Sequence, residues 1–206
     1  MMPIIHFSKT QLTRELDRLP PHLRVVLAAA CAERLLSACV TFSGLVREGK
    51  SETIKRDLAR LWEDVASEPM TGDEMQASID ACMSLIPTDD DMILDAEEAY
   101  TEDAISAVVY ALTCRQNGDS QEALWSAQCA CAAVDYFTTS RERFVPRPVT
   151  DTSRVFAHPL MQAELARQRR DLDELLRVAN EDVRQTAWRF RDRAKAESKD
   201  FFGMPS

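Results

Sequence analysis

The side chains that could do chemistry in this chain are three histidines, six cysteines and 34 carboxylates. His6, His22 and His158 each fall near the end of a segment, and none stands beside a nucleophile that it could serve as a base. His158, directly before Pro159, suits a helix cap better than a general base. The cysteines at 31, 39, 82, 114, 129 and 131 form no Cys-x-x-Cys pair. Cys129 and Cys131 would point to nearly opposite sides of a helix, so the two cannot chelate one metal together. All six read as small buried hydrophobes in a reducing compartment. With only 5 glycines, a backbone cradle for phosphates is hard to build, and no GxSxG, GxGxxG, GxxxxGK[ST] or HExxH occurs. The expectation is no catalytic residue and no cofactor-binding residue.

The carboxylates hold the one arrangement that suggests a metal. Asp95 and Glu98, and Glu98 and Glu102, lie about one helical turn apart, so a pair of them could share a hard cation. A di-iron bundle would need Glu-x-x-His pairs on two helices, and none is present. The run Asp89–Asp91 lacks the glycine and twelfth-position glutamate of a calcium loop. Solvated acids and helix caps are the simpler reading, with no metal ligand and no cofactor expected.

Glu33-Arg34 carries more information. The pair interrupts an otherwise apolar segment, where an unpartnered charge would be costly. A partner for Arg34 is expected nearby, with the acids of 89–103 as candidates. The pair then either fixes helix packing as a buried ion pair or lines a polar pocket.

The elements that must position these groups are helices. Alanine, leucine, glutamate and arginine abound, and no Asn-Gly or Asp-Gly pair sits between alternating apolar runs, so the fold class is all-α. Ser8 with Gln11 opens a short helix, and Pro20-Pro21 ends it and starts a second that runs to Thr41 or Phe42. A third carries Ile54, Leu58, Leu61 and Trp62 on one stripe. Thr71 with Glu74 forms a capping box for a fourth, through Met75, Ile79 and Cys82, which Pro87 bounds. A fifth runs from Ala96 or Thr101 to Gln116 and stops at Asn117-Gly118, and a sixth runs from Ser120 to about Ser140. Helices two, five and six are rich in small residues on most faces and should form the tightly packed centre. Residues 8–145 make the main bundle, 146–158 a proline-bounded loop, and 159–200 a long helical stretch within one domain spanning 1–206. A straight helix of that length would reach about 60 Å. It therefore either bends near Asn180 or projects against a second subunit, with Trp188, Phe190, Phe201 and Phe202 available for a homodimer.

Charge is unevenly spread. The whole chain carries −9, whereas residues 51–140 hold 4 basic and 19 acidic side chains, a net of −15. An acidic middle repels phosphate backbones, so no nucleic-acid partner is expected. No apolar run is long and uncharged enough to span a bilayer, and no basic region followed by an apolar stretch and a cleavage site opens the chain. A cytoplasmic protein without membrane contact is expected.

Short motifs then resemble a known family. Cys31-Ala32-Glu33-Arg34-Leu35, Leu61-Trp62-Glu63, Ile86-Pro87 before Asp89-Asp90, Tyr100-Thr101-Glu102-Asp103-Ala104, and His158-Pro159-Leu160-Met161-Gln162-Ala163-Glu164 are similar, in this order, to the bacterial YjaG-like family (DUF 416), a domain of unknown function. The resemblance covers roughly residues 12–200. It implies a helical, cytoplasmic protein without an assigned reaction, and it places Glu33, Arg34, Trp62, Glu63, Asp90, Glu102 and Asp103 in one polar constellation. Three functions follow as alternatives. The chain could be a non-enzymatic interaction module, homodimeric and presenting its acidic surface to a basic protein partner. It could be a small-molecule binder or enzyme with a Glu/Arg/Asp pocket, or an immunity-type protein masking a basic toxin.

Overall fold

A computed structural model describes residues 5, 8–42, 50–86, 96–141, 156–178 and 182–202. The described chain is helical: α1 (Lys9–Leu16), α2 (Pro21–Phe42), α3 (Lys50–Ala66), α4 (Gly72–Met83), α5 (Ala96–Asn117), α6 (Ser120–Arg141), α7 (Pro159–Arg177), α8 (Val183–Glu197) and a closing 3₁₀ turn, Ser198–Asp200. The Thr71–Glu74 capping box is complete: Thr71 Oγ1 accepts from the Glu74 amide, and the Glu74 carboxylate accepts from the Thr71 amide. Ser8 Oγ caps α1 by accepting from the Gln11 amide. His158 caps α7 through Nδ1, which accepts from the Leu160 amide. Gly118 turns the chain between α5 and α6 with a φ of +73°, a conformation that a Cβ would strain.

Helices α2, α5 and α6 pack against one another more extensively than any other set, as their small residues require. Ser126 on α6 shows how close they come. Its hydroxyl is shared between the carbonyls of Ala28 on α2 (2.9 Å) and Ala107 on α5 (3.1 Å). Arg24 ties the same end together, donating to the carbonyl of Leu16 at the end of α1, to that of Leu19 beyond it and to that of Gly118 beyond α5. One arginine thereby serves carbonyls at or just past the ends of two helices.

The helical stretch expected over 159–200 is divided between two helices, and Asn180, where a bend was expected, lies outside the described residues. α7 ends at Arg177, and Asp182 caps α8 by accepting from the Arg184 amide. α8 folds back on α2 and α3. Phe190, Phe201 and Phe202, which motivated a tail-mediated homodimer, are buried in the chain's own core, where Phe202 stacks on Phe137 at 4.4 Å. Helix α4 ends at Met83, ahead of Pro87. Asp89–Asp91, Asp95 and residues 146–155 of the expected loop lie outside the described residues. No helix among the described residues is long and apolar enough to cross a membrane.

Candidate functional site

Glu33 and Arg34 are consecutive on α2, so they leave the helix about 100° apart and meet different neighbours. Arg34 is 0% exposed. Its Nη1 donates to Asp171 Oδ2 at 2.7 Å, its Nη2 to Glu164 Oε1 at 3.3 Å, and Glu197 Oε2 lies 3.6 Å from Nη1. The expected partner region, 89–103, does not supply these acids within its described part; α7 and α8 do. Glu164 and Asp171, seven residues apart, stand on one face of α7, so a single planar guanidinium spans both. Asp171 also faces Arg170 and Arg193, and Glu164 accepts from Gln168 Nε2 at 2.9 Å. Each charge in this cluster, buried at Arg34, Glu164 and Asp171, meets an opposite one, and the cluster joins α2, α7 and α8.

Glu33 turns toward α3. Its Oε2 accepts from the indole of the fully buried Trp62 at 2.9 Å, and its Oε1 accepts from Ser37 Oγ at 3.3 Å. Glu63, the next residue on α3, is exposed. Asp90 lies outside the described residues. Glu102 and Asp103 stand on α5, where the Asp103 carboxyl is shifted upward. Burial first, and the neighbouring Glu102 second, push its carboxyl up to about 7. Its Oδ2 is shut off from solvent and has no hydrogen-bond partner among the described residues. The six described members therefore do not form one constellation. They split into a Glu33–Trp62 bond, an Arg34 cluster, an exposed Glu63 and an isolated carboxyl on α5.

A polar pocket would need Glu33, Arg34, Glu102 and Asp103 on one solvent-reachable cavity. Two grooves formed by described residues lie elsewhere. One of about 340 Å³ runs between α1 and α7 beside Leu12, Glu15, Gln168 and Arg169. Another of about 480 Å³ lies between α1 and α6 beside Lys9, Arg14 and Trp125. Among the described residues, no group of three or more His, Cys, Asp or Glu side chains is placed to hold a metal. Residues that composition and spacing did not single out include Asp171 and Glu197. The available signal was Glu164, Gln168 and Asp171 recurring at core spacing among Met161, Leu165, Leu172 and Leu175.

A search of curated proteins found no match. A crystal structure of a DUF416 family protein from Shewanella baltica OS155 is similar in fold, with a TM-score of 0.69 over 88% of this chain and 92% of that one. The two sequences are 17% identical, so that likeness concerns architecture alone. The sequence profile described as "Protein of unknown function (DUF416)" matches residues 11–198, from α1 to the 3₁₀ turn and including the Arg34 cluster. With nearly its whole length matched, this chain belongs to the DUF416 family.

Proposed function

We propose that this protein is a non-enzymatic interaction module of the cytoplasm whose acidic middle receives a basic protein partner. The observation that carries the reading is how the charges are distributed between core and surface. The arginines that could neutralise acids are held in pairs: Arg34 inside the core, Arg169 with Glu15 and Asp173, Arg170 with Asp171 and Glu197, and Arg193 with Asp171 and Glu174. By contrast, Glu63, Glu68, Asp73 and Asp80 are exposed along α3, α4 and the turn between them. Uncompensated surface charge of one sign steers an oppositely charged partner and raises its association rate. Six free cysteines support a reducing compartment.

The test is capture of partners from the native host with tagged wild-type chain. It is repeated with two charge-reversed variants, one bearing lysine at 63, 68 and 73 and one bearing lysine at 89, 90 and 91. The expected result is a strongly basic protein retained stoichiometrically by wild type and lost from at least one variant. No basic protein, or unchanged retention in both variants, overturns the reading.

A further inference from the structure

The outer face of the α5–α6 hairpin combines three properties found together nowhere else on the described surface. The first is aromatic exposure. Of the three large apolar side chains that stand out into solvent, two are on α6: Trp125 at 40% and Tyr136 at 52%. Trp125, Cys129, Ala132 and Tyr136 follow the 4-3-4 spacing of a single helix face. Tyr110 of α5 completes the surface, its ring 5.3 Å from that of Trp125.

The second property is charge. Between Ala99 and Ser140 the one basic side chain is Arg115, and it pairs with Asp64 of α3. Glu102, Asp103, Glu122 and Asp135 fall in the same stretch. The third is the Asp103 carboxyl. It lies on α5 close enough to Cys129 and Tyr110 to influence both, and to Cys39 of α2 behind it. With Oδ2 desolvated and without a donor among the described residues, its ionised form lacks from them the cation that buried carboxylates normally require.

We infer that this face docks a basic, amphipathic segment of a partner protein. A lysine or arginine of that segment would reach Asp103 through Oδ1, the carboxylate oxygen that is not sealed, and its apolar residues would lie across Tyr110, Trp125 and Tyr136. The occupant follows from complementarity: aromatic faces attract ammonium and guanidinium groups, and a carboxyl lacking a donor gains one. Polarity follows as well. Lys9 and Arg14 of α1 stand at the Trp125 end, so the partner's cations belong toward Asp103 and its apolar end toward α1. The inference rests on the acidic-module reading and adds the anchor to it. Exposed acids of α3 and α4 accelerate encounter, whereas the α5–α6 face holds the bound segment.

The probe is a fluorescein-labelled 16-residue helical peptide of lysine, arginine and leucine carrying six positive charges, with a glutamate-leucine peptide of equal length as control. Binding is followed by anisotropy and stopped flow in 50 mM salt. Wild type is expected to bind the basic peptide and not the acidic one. W125A and Y136A, which alter exposed side chains, and D103N, which keeps the shape of the carboxyl, are each expected to weaken binding at least fivefold through faster dissociation. E63Q/D73N is expected to slow association about twofold and leave dissociation unchanged. If wild type binds no basic peptide, both the acidic-module reading and this inference fall. If binding survives W125A, Y136A and D103N but is lost in E63Q/D73N, the module reading stands and the docking face is wrong. If the chain instead self-associates in sedimentation and W125A returns it to the monomer mass, the face belongs to a second copy and the inference is overturned.

Discussion

Replacing Arg34 by methionine probes the centre of the fold. Methionine keeps the apolar stem of arginine as far as the position of Nε, so the loss is chiefly that of the charged guanidinium head. The substitution removes a 2.7 Å bond to Asp171 and a 3.3 Å bond to Glu164, both carboxylates being fully buried. Removing one partner of a buried pair costs about 3–5 kcal/mol, because the remaining charge stays desolvated. Here Arg170 and Arg193 still face Asp171, and Gln168 still donates to Glu164, which holds the loss to the lower end, about 3 kcal/mol. With a urea m-value of roughly 2–3 kcal/mol/M, the midpoint followed by circular dichroism falls by about 1–1.5 M. R34K is expected to recover less than half of the loss, because one ammonium cannot span two carboxylates seven residues apart on α7. R34M/E164M is expected to lose less than the sum of its single variants, since one orphaned charge leaves with its partner. An R34M midpoint within about 0.3 M of wild type, or full recovery by lysine, would refute the claim that the guanidinium joins three helices.

Three further outcomes follow from the same geometry. Asp103 titrates near 7 when folded against 3.8 for the free side chain, so the folded chain holds that proton more tightly between roughly pH 4 and 7, and stability is lost as pH rises through this window. D103N is therefore expected to match wild type near pH 4 and exceed it by about 1–3 kcal/mol at pH 8 in chemical denaturation; parallel pH profiles would count against a desolvated carboxyl. W62F leaves Glu33 with Ser37 alone and should cost about 1–3 kcal/mol, with a coupling of similar size in a double-mutant cycle with E33L; additive effects would mean that the 2.9 Å bond contributes nothing. Burial raises the thiols of Cys82, Cys114 and Cys129 to about 12 and those of Cys31, Cys39 and Cys131 above the ordinary range, so Ellman's reagent at pH 8 should react within minutes only after denaturation, and rapid labelling of the native chain would disprove the closed core.

Much of the fold was legible because helix boundaries are local chemistry. Ser8, Thr71–Glu74, Pro21, His158-Pro159 and Gly118 each act on backbone groups within a turn, so spacing alone identifies them. The centre was legible for a related reason: three helices with small residues on most faces can approach closely only if they pack together. The break between α7 and α8 was ambiguous because no proline or glycine marks it; its local sign is Asp182, an N-cap two residues beyond Asn180. The partners of Arg34 were not legible at all. Pattern identifies a charge that requires an acid, but which acid arrives depends on how α7 and α8 fold back over α2, a contact spanning 137 residues. Glu164 and Asp171 were visible only as polar residues at core spacing, a signal that states burial without naming a partner.

Arg34 and Asp103 mark two different answers to the same physical problem, and the contrast locates function. Both place a charged group away from water in a helical bundle. Around Arg34 the fold supplies three acids from two helices, as a structure maintained for stability requires. Around Asp103 it supplies none to Oδ2 among the described residues, and it leaves a thiol, a like-charged neighbour and aromatic rings. A residue that breaks a stability rule without local compensation is where a binding requirement is expected. The two positions should then respond with opposite signs. R34M lowers stability while the folded fraction keeps its affinity for a basic peptide, and D103N raises stability at pH 8 while losing that affinity. If stability and binding fall together at both sites, Asp103 is a positioning element of the fold and the α5–α6 face has no separate role.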